Sequence, residues 1–135
     1  MKVSDIDKQR LYEAALEASR SAYIPYSHFP VGAAVLVETG EIFAGCNVEN
    51  ASYGLTICAE RNAVFQAVAK GNQVIQAVLV YTPTAKPTTP CGACRQVLNE
   101  FASDMAVFCA SECAEWLETA LSELLPRAFG PLNLE

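Results

Sequence analysis

The sequence predicts an α/β fold in which one mixed sheet carries helices on both faces. Apolar runs of strand length alternate with segments of helical period, in the order helix, hairpin, helix, strand, helix, strand. Two of those runs are apolar almost throughout, as strands covered on both faces are. Apolar residues make up 52% of 135 and charged residues 18%, enough for one buried core and too little chain for two. A single domain over residues 1–135 is expected.

From about Ser4 to Ala22, Leu11, Ala14, Ala15, Ala18 and Ala22 recur at helical steps with charged residues between them. Ser4 fits an N-cap, and Pro25 pushes Ile24 out of helical geometry. Val31–Val37 and Glu41–Asn47 form a hairpin about Thr39-Gly40, followed by a polar loop from Val48 to Thr56. Cys58 to about Lys70 is helical by pattern, with Gly71 as its stop. Val74–Tyr81 is a buried strand, and Pro83, Pro87 and Pro90 stiffen the loop after it. A helix from Cys91 to Phe101 and a strand from Met105 to Ala110 follow. Between Cys113 and Leu125 the spacing of Trp116, Leu117, Ala120, Leu121, Leu124 and Leu125 suits a helix, and a strand before it is left open. No repeat, low-complexity segment or linker interrupts the chain.

Nine basic and fifteen acidic residues give a formal charge of −6. A nucleic-acid partner needs a basic stripe to neutralise phosphates, and none is present. A small substrate with little charge fits better. So much apolar surface on so short a chain favours an oligomer. Met1-Lys2-Val3-Ser4-Asp5 leads into a charged amphipathic segment with no apolar h-region, and no run is long enough to cross a bilayer. The six cysteines are therefore expected to be reduced or metal-bound, in the cytoplasm.

The cysteines carry the chemistry. Cys58-Ala59-Glu60 is followed by Pro90-Cys91-Gly92-Ala93-Cys94. Three thiolates on zinc leave a fourth position for water, the arrangement of a catalytic rather than a structural site. The predicted strand–loop–helix junctions place Cys58, Cys91 and Cys94 at helix N-termini, whose partial positive charge and free N–H groups favour thiolate. Glu60, two residues past a ligand, reads as a proton carrier. Three thiolates blunt the ion's power to acidify water, and Arg61 is placed to draw charge from the sulfurs.

Plainer readings stand beside these. Cys-x-x-Cys also serves redox chemistry, Glu60 and Arg61 also fit an exposed helix face, and Phe29 also fits a core. Asn47 and Asn50 also fit Asx-turns. Cys46 and Cys109, in predicted strands, read as buried structural thiols, with Cys113 a further structural thiol. His28, the one histidine, has no partner spacing. A structural zinc module would need a fourth ligand from Cys46, Cys109, Cys113 or His28.

Longer motifs resolve the choice. They are Pro25-Tyr26-Ser27-His28-Phe29-Pro30-Val31-Gly32-Ala33-Ala34, Gly45-Cys46-Asn47-Val48-Glu49-Asn50, Gly54-Leu55-Thr56-Ile57-Cys58-Ala59-Glu60-Arg61, Pro90-Cys91-Gly92-Ala93-Cys94-Arg95-Gln96-Val97 and Leu124-Leu125-Pro126-Arg127-Ala128-Phe129-Gly130-Pro131. Through them the chain resembles the small, homotetrameric, zinc-dependent cytidine deaminases over nearly its whole length. The resemblance implies a three-layer α/β/α sandwich around a five-stranded mixed sheet. It implies one zinc per subunit on Cys58, Cys91 and Cys94, with Glu60 as general acid/base. It implies that Asn47 and Glu49 bond the ribose hydroxyls, that Phe29 packs on the pyrimidine, and that the Ala59 backbone meets its carbonyl oxygen. Tyr53 and Phe129 would reach into neighbouring subunits' sites, at the contacts of a homotetramer. The expected activity is hydrolytic deamination of cytidine and deoxycytidine, as in pyrimidine salvage; a deaminase of another cytosine compound is the nearest rival. In one respect the chain departs from these relatives: Ser111-Glu112-Cys113-Ala114-Glu115-Trp116 lacks the glycine of their last hairpin.

Overall fold

A computed structural model describes residues 2–135. Its first helix, α1, spans Asp5–Ser19, and the Ser4 hydroxyl accepts the Asp7 N–H at 3.1 Å, as the sequence predicts for an N-cap. The helix stops three residues short of Ala22. The Tyr23 N–H donates to Asn47 O and the Glu49 N–H to Tyr23 O, so a parallel bridge to Val48 holds Tyr23 extended.

The hairpin forms as β1 (Gly32–Val37) and β2 (Ile42–Cys46), followed by α2 (Ala59–Ala69), β3 (Ile75–Tyr81), α3 (Gly92–Asn99) and β4 (Ala106–Ala110). The sheet has five strands in the order β2-β1-β3-β4-β5, where β5 is Trp116–Ala120. Only β3 and β4 pair in parallel, joined by the α3 crossover. The sandwich is therefore the mixed, three-layer one expected.

Side-chain alternation sorts the layers. Ala33, Val35 and Val37 of β1 join Ala63, Val64 and Ala67 of α2 and Leu98 of α3 in one core. Ala34 and Leu36 turn the other way, onto Leu11 and Ala15 of α1. Both helices approach the sheet closely enough to need glycine. A Cβ on Gly32 would lie 1.8 Å from Ala15 O, and one on Gly45 would lie 2.6 Å from the Ala63 N.

The segment after β4 corrects the helical reading of Trp116 and Leu117, which lie in β5. The turn needs no glycine because Ser111 and Ala114 build it. The Ser111 hydroxyl accepts the N–H groups of Cys113 (3.2 Å) and Glu115 (3.1 Å), and Ala114 adopts φ +60°. Trp116 then packs on Tyr12 of α1, with ring centroids 5.6 Å apart. Only Leu121–Leu124 remains helical, as the single turn α4. Among the described residues no helix is long and apolar enough to cross a membrane.

Alanine in the left-handed region costs about 1 kcal/mol or more. Ala114→Gly should therefore raise stability by roughly 0.5–1 kcal/mol and Tm by a few degrees, read by thermal unfolding. An unchanged or lower Tm would show that the turn carries no such strain.

Candidate active site

Three sulfurs converge where α2 and α3 begin. Cys58 is the N-cap of α2 and Cys91 the N-cap of α3, both with extended backbone. Serine or aspartate in those positions would bond the first-turn amides. Neither cysteine does, so both thiols stay free for another partner. Cys94 lies one turn into α3 and is fully buried.

The three Sγ atoms lie within 4.8 Å of one another, and Cys58 Sγ is 3.8 Å from Cys91 Sγ. Two thiolates bound tetrahedrally to zinc at ~2.3 Å lie about 3.8 Å apart, so the spacing and the all-sulfur donor set both fit that ion. No other group of three potential ligands occurs among the described residues. His28, Cys46, Cys109 and Cys113 stand outside it. Cys109 is buried as expected and burial pushes its thiol up to about 11, whereas Cys46, the last residue of β2, is only half-buried.

The local field favours one ionised sulfur even without metal. A hydrogen bond from Cys94 lowers the Cys58 thiol to about 5, and Arg61 and Cys91 add to this. Cys94, the donor to that thiolate, is raised correspondingly. Arg61 Nη2 lies 3.4 Å from Cys58 Sγ, the contact anticipated for a residue that offsets thiolate charge. Its Nε–H is buried and unpartnered among the described residues.

Glu60, in the first turn of α2, is 5% exposed, so it is not the surface carboxylate of the plainer reading. Burial raises its carboxyl to about 7, and the negative Cys58 adds to the shift. A carboxyl poised near neutrality can both take and return a proton.

Glu60 lines a cavity of about 220 Å³ together with Phe29, Asn47, Cys58, Ala59 and Cys91. Six of the expected site residues thus meet in one hollow. Val31, Thr56, Val80, Thr82, Thr88 and Thr89 complete its wall and were not anticipated. The run of threonines and prolines before Cys91 was the visible signal for Thr82, Thr88 and Thr89, and Val31 and Thr56 fall within the longer motifs.

Glu49 and Tyr53 line an adjoining hollow of about 320 Å³ with Tyr26 and Ser27, and Thr56 belongs to both spaces. The Glu49 carboxylate accepts the N–H groups of Tyr26 and Ser27, each at 3.1 Å, and the Ser27 hydroxyl. These bonds, the hydroxyl foremost, hold its pKa below the ordinary carboxylate value. The Asn47 amide donates to Phe29 O at 2.8 Å and accepts the Val31 N–H at 3.0 Å. Both side chains therefore fasten the segment that presents Phe29.

Phe129 lines neither hollow. The side chains of Gln96 and Asn99 hold its carbonyl to α3, at 2.9 and 3.2 Å, and the residue is 60% exposed. Tyr53 is 74% exposed and packs edge-on against Tyr26.

A family model described as "Cytidine and deoxycytidylate deaminase zinc-binding region" matches residues 5–110. The chain belongs to this family. A cytidine deaminase of Halalkalibacterium halodurans is 46% identical over 125 residues, 92% of this chain and 95% of that one. One of Sporosarcina psychrophila is 45% identical over 130 residues, 96% of each chain. Among solved structures, the cytidine deaminase of Burkholderia pseudomallei aligns with a TM-score of 0.86 at 46% identity, covering 90% of this chain and 98% of that one. The Mycobacterium tuberculosis enzyme aligns at 0.81 and 40% identity, covering 94% and 100%. The cysteine cluster of this chain fits the zinc-binding region that the family's description names.

The raised Glu60 pKa has a thermodynamic consequence. Folding favours its protonated form, a contribution full below 4.5 and lost as pH rises through about 7. In chelator-treated protein, Glu60→Gln should gain Tm relative to the wild type as pH rises across that interval. Parallel Tm-against-pH curves would contradict the burial argument.

Proposed function

We propose that this chain hydrolyses cytidine and deoxycytidine to uridine and deoxyuridine with release of ammonia, as one domain over 1–135. The observation that carries this reading is the buried Glu60 carboxyl beside three convergent sulfurs, on the wall of one small cavity. Cys58, Cys91 and Cys94 would hold one zinc ion per subunit, which when bound polarises water as a Lewis acid.

The chain's own groups do the rest. Glu60 takes a proton from the attacking water and passes it to the ring nitrogen, as oxygen adds to the carbon bearing the amine. It then moves a proton to the departing nitrogen, the C–N bond breaks and ammonia leaves. Arg61 spreads the charge of the thiolates. The Ala59 N–H, at the start of α2, is a free donor for the carbonyl oxygen of the base. Phe29 gives an apolar face for the pyrimidine ring.

Asn47 and Glu49 receive the sugar, with the capacity left after their bonds to the 26–31 segment: one amide N–H and carboxylate lone pairs. A sugar site built this way rejects a free base. Tyr53 and Phe129, both well exposed on one subunit, would close the sites of neighbouring subunits in a homotetramer. With a charge of −6, the partner is a free nucleoside rather than nucleic acid. The setting proposed is pyrimidine salvage in the cytoplasm.

Glu60→Gln should lower ammonia release from cytidine by about 10²-fold or more with zinc content unchanged. Near-normal turnover would remove Glu60 from the mechanism. Sedimentation of the active protein should give a tetramer, and an active monomer would refute the shared sites.

A further inference from the structure

Between β3 and α3 lie four threonines, and three of them, Thr82, Thr88 and Thr89, line the cavity beside Glu60. Thr84 sits behind them. Its hydroxyl contacts Lys86 O at 2.6 Å, Thr82 Oγ1 at 2.8 Å and Thr88 Oγ1 at 3.3 Å.

A hydroxyl has one proton and two lone pairs. A carbonyl oxygen only accepts, so Thr84 spends its proton on Lys86 O. Thr82 must then donate to Thr84, and Thr88 likewise. The Thr82 backbone N–H is also spent, on Ala110 O at 3.1 Å. Thr82 is 4% exposed, so water does not supply it with an alternative partner at no cost. With both donors turned away, it brings only acceptor lone pairs to the cavity.

We propose that Thr82 is a specificity-determining residue that accepts a hydrogen bond from the amine on the reacting carbon, and that Thr84 is the positioning residue that fixes its proton. The proposal rests on the reading of this cavity as a cytidine site. Substrate carries an amine, a donor, where product carries a carbonyl, an acceptor only. An acceptor-only hydroxyl therefore attracts substrate and the departing ammonia, and it repels the uridine carbonyl. A buried polar group left without its partner is a strong discriminator.

The test measures the affinities for cytidine and for uridine on zinc-loaded protein, both on a Glu60→Gln background that slows cytidine consumption. Thr84→Val removes the acceptor and frees the Thr82 proton to face the cavity. The cytidine-to-uridine affinity ratio should fall roughly tenfold, with uridine binding more tightly. Thr84→Ser keeps the hydroxyl and should keep the ratio. Thr82→Val should weaken cytidine more than uridine. A Thr84→Val ratio equal to that of the parent overturns the proposal, as does an equal fall in Thr84→Ser. Failure of the underlying function is distinguishable, because wild-type protein would then release no ammonia from cytidine.

Discussion

Three sulfurs held within bonding reach of one ion are the constraint on which the rest of the structure depends. They come from two helices, and each thiol gains from the partial positive charge of a helix start. The N-terminal ends of α2 and α3 must therefore meet, beside the end of the central strand β3. That requirement places Glu60 as well. Two residues past Cys58, about half a helical turn, the Glu60 carboxyl is turned inward, where burial holds it near neutrality. The same geometry gathers the sulfurs and tunes the Glu60 carboxyl, so neither can be moved alone.

Close packing keeps the two helix starts where they are. Gly45 lets the backbone of α2 lie against β2, and Gly32 lets α1 lie against β1 from the opposite side. Small residues in β1 (Ala33 and Ala34) keep both layers thin. Arg95 adds a polar tie on the far side of the cysteines. Its guanidinium donates to Pro90 O at 2.7 Å, Thr89 Oγ1 at 2.9 Å and Leu124 O at 2.8 Å. The cavity wall, the second cysteine pair and the C-terminal segment are thereby held by one side chain.

The cysteine cluster and Glu60 were legible because their spacing is local. Cys-x-x-Cys and Cys-x-Glu specify which groups share a helical turn, and one chain segment suffices to see it. The sheet was legible for a similar reason, since β1 and β3 are apolar on both faces. The last hairpin was not. Its turn depends on a serine hydroxyl capturing two amides and on an alanine tolerating φ +60°, neither of which residue type announces. The helical spacing of Trp116 and Leu117 was a coincidence of a short strand running into a single helical turn. The cavity wall was only partly legible, because Val31, Thr56, Val80 and Thr82 come from segments far apart in sequence. The resemblance implies sugar contacts for Asn47 and Glu49. Their bonds to the segment holding Phe29 required the fold to be seen.

A zinc site with three protein ligands and one open position is the centre of this account, and zinc K-edge X-ray absorption on the loaded protein tests it most directly. The account predicts three sulfur neighbours at ~2.3 Å and one oxygen or nitrogen neighbour. Four sulfur neighbours, one of them from Cys46, Cys109 or Cys113, would make the centre a closed structural site and contradict it.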